Sequence, residues 1–203
     1  MRSNIRYKTC RYYLTDKFTE EFKEILDKII NNTTVTKIDL AGSDLRYDGA
    51  QALAKALEVN NTLKQLDLHY NDIRPAGAKA LAEALRDNVT LTELDLSLNS
   101  IGEGVQALAE VLKDNCTLTK LDLSDNYIQD SGAENLIGGL LDNYKLQILS
   151  LENNSIKLVG AKAIADTLTD NKTIEILNLA YYEIGVDGVK ALAGALGNNK
   201  SLK

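Results

Sequence analysis

The chain has 203 residues, of which 44% are hydrophobic and 26% are charged, and its net charge at pH 7 is -6. This composition is typical of a soluble globular protein, and the negative charge argues against nucleic acid or an anionic membrane as the main partner. Cys10 and Cys116 are too far apart for a disulfide framework or a metal site, so we expect reduced thiols.

The first residues contain no apolar run typical of a signal peptide, and no segment approaches the ~20 apolar residues that cross a membrane. We therefore expect a cytoplasmic protein that is not classically secreted, or a host-translocated one if the chain is a bacterial effector.

Residues 1–34 are predicted to form an N-terminal cap, built as a degenerate copy of the unit that repeats after it. A helix is expected over about residues 17–30, because Phe18, Phe22, Ile25 and Ile29 follow a helical spacing. Counting back by the period of the later units puts Tyr7, Cys10 and Tyr12 at strand positions. Such a cap would cover the first exposed face of a stacked structure.

From residue 35 to residue 203, a pattern of about 28 residues occurs six times and a seventh copy begins at Leu202. The copies start at Val35, Leu63, Leu91, Leu118, Leu146 and Ile174, for example as "LKQLDLHYNDI" and "LTELDLSLNSI". Repeats of this length are typical of a solenoid, which forms one continuous domain with its cap and usually presents a surface that binds another molecule.

Each unit is predicted to contain a strand, a turn, a helix and a second turn. In the unit that starts at Leu63, Leu66 and Leu68 alternate with polar residues, as in a half-buried strand. The helix follows, with Ala78, Leu81, Ala82 and Leu85 on one apolar stripe. A single unit cannot bury both surfaces, so neighbouring units are expected to cover them.

Two series of asparagines recur with the same period. Asn71, Asn99, Asn126 and Asn154 follow the strands, and we predict that they form a buried ladder whose members each contribute on the order of 1–3 kcal/mol. The second series follows the helices and is predicted to close them in the left-handed region: Asn32, Asn60, Asn88, Asn115, Asn143, Asn171 and Asn199. At the last copy, we expect that the open face either continues into a longer chain or is covered by another subunit, which would give self-association.

The "LxxLxLxxN" pattern followed by "GA…AL…AL…N" resembles the leucine-rich repeat, and its length is similar to that of the ribonuclease-inhibitor-like subtype. Repeat domains of NOD-like receptors and of Ran GTPase-activating proteins are similar. The resemblance implies an α/β fold: a right-handed α/β solenoid, shaped as a horseshoe, with a parallel sheet on the concave side and helices on the convex side. It also implies a scaffold for protein–protein recognition.

In that geometry, the residues that flank the strand leucines line the concave face, and we predict that they bind a partner protein. The predicted residues are Lys37, Gln65, Glu93, Lys120, Ile148 and Ile176 in one row, Asp39, Asp67, Asp95 and Asp122 in the next, His69 and Glu152 in the third, and Tyr70, Leu98 and Tyr181 beside the strand ends.

Two interpretations of these rows stay open. The aspartates form either an acidic stripe for a partner with a basic surface, or a common feature of the repeat that bonds locally or pairs with Lys37 and Lys120. The isoleucines either contact a partner or are the scattered apolar residues that any surface carries.

We predict no enzymatic activity, no cofactor and no metal site. The sequence contains no GxxxxGK[ST], GxGxxG or GxSxG motif, and His69 is its one histidine. Two alternatives remain. The chain could be the repeat domain of a larger receptor or bacterial effector. It could also be a GTPase-activating module, for which Arg46 and Arg74 are the candidate groups.

Overall fold

The computed structural model describes residues 19–31 and 34–203, together with the backbone of residues 5 and 6. In these ranges, seven parallel strands alternate with seven α-helices. The strands are β1 (Ile5–Arg6), β2 (Lys37–Asp39), β3 (Gln65–Asp67), β4 (Glu93–Asp95), β5 (Lys120–Asp122), β6 (Ile148–Ser150) and β7 (Ile176–Asn178). The helices are α1 (Glu20–Ile30), α2 (Arg46–Val59), α3 (Arg74–Asp87), α4 (Val105–Leu112), α5 (Gln129–Leu140), α6 (Leu158–Asp170) and α7 (Gly185–Asn198), and a 3-10 turn at Gly102–Gly104 leads into α4.

The strands pair in sequence order in a single sheet, and each helix packs against the helix of the next unit. The register is constant, so that Leu66 lies opposite Leu94, Leu94 opposite Leu121, and Leu121 opposite Leu149. This is the predicted α/β solenoid, with the parallel sheet on its concave side and the helices on its convex side, and the fold prediction is confirmed.

The core lies between the sheet and the helices. In the third unit, Leu91, Leu94 and Leu96 come from the strand side and Leu108 and Leu112 from the helix, and all are at most 2% exposed. Burial of each of these side chains stabilises the fold by on the order of 1.5–3 kcal/mol. Because the same slots recur in every unit, the core is continuous along the solenoid.

Neighbouring helices approach closely where a glycine begins the helix. A Cβ atom on Gly104 would lie 2.7 Å from the backbone Cα and O atoms of Pro75 in α3. The glycine therefore allows the helical layers of adjacent units to touch backbone to backbone.

The N-terminal strand has a different register from the one obtained by counting back the period. Ile5 lies opposite Ile38 and Arg6 opposite Asp39, whereas the count puts Cys10 opposite Ile38. The first unit is longer than the others, and a period cannot reveal added residues where the leucine pattern is lost. Tyr7, Cys10, Tyr12 and Phe18 lie outside the described residues. The helix of this segment begins at Glu20, where the Thr19 side chain accepts a hydrogen bond from the Phe22 amide.

The asparagines after the strands form hydrogen bonds between consecutive units. Asn99 is fully buried, and its Nδ2 donates to Leu68 O at 2.8 Å and to Leu96 O at 3.0 Å. Its Oδ1 accepts from the amides of Asn71 at 3.0 Å and Ile73 at 3.3 Å. Asn71, Asn126 and Asn154 bond in the same way, one unit apart.

Tyr182 occupies the asparagine slot of the last unit. Its hydroxyl donates to Leu151 O, the carbonyl that an asparagine in this slot would reach. Burial raises the pKa of Tyr182. The hydroxyl therefore stays protonated and keeps its donor.

The prediction that the second asparagine series closes the helices in the left-handed region is wrong. Asn60, Asn88, Asn171 and Asn199 have φ between -82° and -68° with ψ from 118° to 138°, which is extended backbone. Their side chains form a second set of bonds between units. Asn88 Nδ2, for instance, donates to Leu57 O at 2.9 Å, while its Oδ1 accepts from the amides of Thr90 and Leu91. A bond to the neighbouring unit, together with the local turn that follows the residue, fixes these asparagines. Asn32, the first of the series, lies outside the described residues.

None of the helices in the described ranges is both long and apolar enough to cross a lipid bilayer.

Candidate partner-binding face

The sheet register places the predicted residues in rows across the concave face. In β2 to β6 the second residue of each strand is buried in the core, and in β7 Leu177 packs against it, so the first and third residues of these strands point away from the helices. The first row is Lys37, Gln65, Glu93, Lys120, Ile148 and Ile176, and the second is Asp39, Asp67, Asp95, Asp122, Ser150 and Asn178. Neighbours within a row are about 4.8 Å apart, the spacing of paired strands.

The aspartates of the second row bond locally through one carboxylate oxygen. Oδ1 of each accepts from the amide two residues later, at 3.0 Å from His69 for Asp67, 2.9 Å from Ser97 for Asp95 and 3.0 Å from Ser124 for Asp122. Asn178 does the same with its amide oxygen, which accepts from the Ala180 amide at 3.0 Å. The aspartate at this position therefore supports the turn after the strand, as one of the two open interpretations expects.

The second oxygen, Oδ2, is the atom left for other contacts. For Asp67, Asp95 and Asp122, it has no hydrogen-bond or ion-pair partner among the residues that the structure describes. Within the same ranges, Lys37 and Lys120 form no ion pair with this row. Asp67, Asp95 and Asp122 thus combine a local bond on one carboxylate oxygen with a second oxygen that has no hydrogen-bond or ion-pair partner in the described part of the chain.

Electrostatic crowding is visible at Asp67. Burial raises the pKa of this carboxyl above its usual value, and repulsion from Asp95 and Asp39 adds to the rise, against the hydrogen bond from the His69 amide. Raising a carboxyl pKa means that the folded protein disfavours the charged form. A cation bound at this point would relieve that penalty.

A shallow depression of about 100 Å³ lies on the concave face, over the strands β2 to β5. It is lined by Lys37, Gln65, Leu66, Asp67, Glu93, Leu94, Asp95 and Lys120. Within it, Gln65 Nε2 donates to Glu93 Oε1 at 2.6 Å, which fixes the two side chains of the first row. The depression is open and lined by both polar and apolar groups, with lysines at its two ends, carboxylates between them, and Leu66 and Leu94 among its lining residues.

The third row forms short hydrogen-bonded chains. His69 Nδ1 lies 2.8 Å from Ser97 Oγ, and Ser97 Oγ donates to Asp95 Oδ1 at 2.6 Å. Glu152 Oε2 accepts from Asn178 Nδ2 at 2.7 Å. His69 is partly buried, and its ring centroid is 6.4 Å from that of Tyr70. Because Ser97 donates to the carboxylate and not to the histidine, this group is not arranged as a nucleophilic triad.

Apolar side chains replace the polar ones at the far end of the first row. Ile148 and Ile176 are adjacent across β6 and β7, and Ile176 is 50% exposed. The concave face therefore has an acidic part over β3 to β5 and an apolar part over β6 and β7.

Large side chains beside the strand ends are held in an unfavourable backbone conformation. Tyr70, Leu98 and Tyr181 have φ of 55°, 55° and 60°, in the left-handed region, and are 65%, 41% and 80% exposed. That region costs a bulky residue roughly 1–2 kcal/mol. Gly42 occupies the same slot in the first unit, at a φ of 63°.

Tyr127 lies in the same edge region and was missed by the sequence analysis. It is 66% exposed at a φ of 57°. Its slot holds Asp72, Ser100 and Ser155 in sister units, so one tyrosine that breaks a polar series was the available signal.

The two arginines considered for a GTPase-activating role are each engaged by an aspartate of their own unit. Arg46 donates to Asp44 through Nε at 3.0 Å and Nη2 at 2.9 Å, and Arg74 donates to Asp72 at 2.9 and 2.7 Å. Both pairs join the turn after the strand to the first residue of the helix, and neither arginine belongs to a strand row of the concave face.

A sequence profile described as leucine-rich repeat matches residues 31–54, 59–82, 87–109, 114–136, 142–165 and 170–193, which together make up more than half of the chain. The chain belongs to the leucine-rich repeat family. The family prediction made from the repeat pattern is confirmed, and the ribonuclease-inhibitor-like subtype is consistent with it. No curated protein shows significant sequence similarity to the chain.

Two solved structures are similar to this chain in fold. One is described as leiomodin-1 actin-binding site 2, with a TM-score of 0.52, 22% identity and coverage of 88% of each chain. The other is the tropomodulin C-terminal domain of Caenorhabditis elegans, with a TM-score of 0.51, 10% identity and coverage of 88% of this chain and 93% of that one. At these identities the likeness shows the fold alone.

Proposed function

We propose that this leucine-rich repeat protein is a non-enzymatic scaffold that holds a basic partner protein against its concave face. Leucine-rich repeats indicate a protein–protein interaction scaffold, and the open question is which surface binds. The observation that carries the proposal is the second row, where Asp67, Asp95 and Asp122 keep one carboxylate oxygen without a partner in the described structure. Like charges about 4.8 Å apart destabilise the free protein, so a partner's cations would gain contact with all of them.

The apolar part of the face supports the same surface. Ile176 is half exposed beside Ile148, and the exposed Tyr181 lies just beyond the end of β7, while Tyr70 and Leu98 lie beyond the ends of β3 and β4. Tyrosine is a frequent energetic centre of protein interfaces, whose buried core is more apolar than the polar rim around it. Leiomodin-1 binds actin according to its description, but the choice of partner for this chain rests on its own surface chemistry.

The test compares partner capture by surface variants of the full chain. Ile148→Asp with Ile176→Asp disrupts the apolar part, and Asp67→Asn with Asp95→Asn and Asp122→Asn removes the acidic charge. Val159→Asp is the matched control, because Val159 is 55% exposed on the convex side, close to the 50% of Ile176. We expect a bound protein to be lost with both concave variants and retained with the control. Equal capture by all variants would remove the concave face from consideration.

We also propose that copies of the chain associate through the face of α7. Val189 and Leu196 are 57% and 53% exposed, whereas their counterparts in α6, Ala161 and Leu168, are 1% and 3% exposed. Sedimentation velocity over a range of concentrations tests this proposal. Association should disappear with Val189→Glu and Leu196→Glu, and a wild-type chain that stays monomeric throughout would contradict it.

A further inference from the structure

The width of the concave face and the spacing of its strands can be compared with the dimensions of a helical and of an extended partner segment. The strands β3 to β7 are each three residues long, which gives a face about 10 Å wide. An α-helix with its side chains is about 10–12 Å across. One helix lying across the strands would therefore fill the width of the face and reach both rows, which are about 6.7 Å apart along each strand.

The spacing of the strands also distinguishes a helix from an extended segment. A helix presents side chains to one surface once per turn, about every 5.4 Å, against a strand spacing of about 4.8 Å. An extended segment presents every second residue, about every 6.7 Å. Over the four steps from β3 to β7, the accumulated mismatch is about 2.4 Å for a helix and about 7.6 Å for an extended segment. The second value is larger than the spacing between two neighbouring strands.

The charges along the face define the sequence of that helix. Asp67, Asp95 and Asp122 occur on consecutive strands, followed by Ile148 and Ile176 on the next two. Basic residues at i, i+4 and i+7 would meet the aspartates, and apolar residues at i+11 and i+14 would meet the isoleucines. Lys37 and Lys120 in the first row carry the opposite charge, so an acidic residue on that flank of the helix fits better than a uniformly basic surface.

We infer that the partner presents a basic amphipathic helix, laid across strands β3 to β7 with its basic turns over the aspartates and its apolar turns over the isoleucines. The inference rests on the proposed function, since it specifies what the concave face binds. The partner is a helical protein segment, identified by the match of its pitch to the strands and of its charge to the acidic row.

Synthetic peptides of about 18 residues test this inference against the full chain. The probe carries arginines at i, i+4 and i+7, leucines at i+11 and i+14, and a glutamate on the flank that faces Lys120. It is made in both sequence directions, because the direction of the helix is open. One control has the same sequence with D-residues that abolish helicity, and a second remains helical but has its arginines moved to the opposite face. Circular dichroism checks the helicity of each peptide, and fluorescence anisotropy measures its Kd.

We expect the helical probe, in one of its directions, to bind at least about tenfold more tightly than either control. Its affinity should fall by about tenfold in the variant with Asp67→Asn, Asp95→Asn and Asp122→Asn, as expected for the loss of several partly exposed ion pairs. Asparagine retains the local bond, as Asn178 shows, so this variant removes charge without removing the turn. Val159→Asp should leave the affinity unchanged.

The outcomes separate the two proposals. If the non-helical peptide binds as tightly as the helical one and both lose affinity in the triple variant, the helix is overturned while the concave face stands. If the helical probe binds equally to wild type, to the triple variant and to the variant with Ile148→Asp and Ile176→Asp, both proposals fail. If no peptide binds, the helix inference fails, and the capture experiment decides about the face.

Discussion

The ladder residue Asn99 gives the sharpest test of how the units are held together. Replacing it by alanine removes the acceptor for the amides of Asn71 and Ile73, which have no other acceptor among the described residues. The carbonyls that Asn99 serves are less affected. Leu68 O keeps Asn71 Nδ2 at 2.9 Å, and Leu96 O keeps Asn126 Nδ2 at 2.8 Å. The cost therefore comes mainly from the two buried N–H groups.

Leaving a buried N–H without an acceptor costs about 1–3 kcal/mol, so for two such groups we expect Asn99→Ala to lower the free energy of unfolding by about 2–6 kcal/mol. Urea unfolding followed by circular dichroism measures this change. The matched control is Asn135→Ala, because Asn135 is exposed on α5 and the same substitution there should stay within about 0.5 kcal/mol. Equal, small effects at the two sites would refute the view that the carboxamide holds adjacent units together.

Three further substitutions probe charge, backbone strain and packing. Asp67→Asn should raise stability at pH 7, because a folded-state pKa above the unfolded one means that the charged carboxylate costs stability. The gain should shrink as the pH falls through the raised folded-state pKa and be absent below the ordinary aspartate pKa of 3.8. An equal gain at pH 3 and pH 7, measured by thermal unfolding, would contradict this. Leu98→Asn should stabilise the protein by about 0.5–1 kcal/mol, since asparagine tolerates positive φ. The control Leu196→Asn, inside α7, should destabilise it slightly. A loss of stability with Leu98→Asn would argue against backbone strain at that position. Gly104→Ala should cost about 1–3 kcal/mol because its Cβ would meet the Pro75 backbone, while Gly138→Ala, in open space on α5, should be neutral or stabilising; similar values for both would rule out the close approach.

The repeat period predicted the fold and the sheet register, because both depend on residues that recur in every unit. The leucines, the helical stripe and the rows of the sheet follow from residues that recur in every unit, so the fold and the register were available from the pattern. The backbone conformation at the second asparagine series could not be predicted from the pattern, because asparagine suits both the left-handed region and an extended turn. The choice is made by a carbonyl of the preceding unit, such as Leu57 O for Asn88, which no local pattern displays.

The exposed features were harder to predict for a different reason. The role of Asp67, Asp95 and Asp122 was left between a local bond and a binding stripe, and the structure shows the local bond on one oxygen while the other points away from it. A residue type alone does not say how its two oxygens are shared. Tyr127 was missed because the sister units carry aspartate or serine in its slot, and a periodic pattern hides a single exception.

We propose that stability and recognition are carried by different residues in this chain, and that separation is testable. Buried asparagines lie beyond both ends of the strands β3 to β6, at Asn60 and Asn71 for β3, and they join neighbouring units without using the concave rows. The aspartates contribute to the fold one acceptor oxygen, which asparagine supplies equally at Asn178.

The variant with Asp67→Asn, Asp95→Asn and Asp122→Asn changes three side chains on adjacent strands, yet we expect it to unfold at the wild-type temperature or higher. Repulsion along the row is removed and every turn bond is kept. The single change Asn99→Ala should instead lower the unfolding temperature by several degrees for each kcal/mol lost. Differential scanning calorimetry of the two variants compares them directly. If the triple variant melts as low as Asn99→Ala, the concave charges stabilise the solenoid. The proposal that they serve partner binding and not stability would then be wrong.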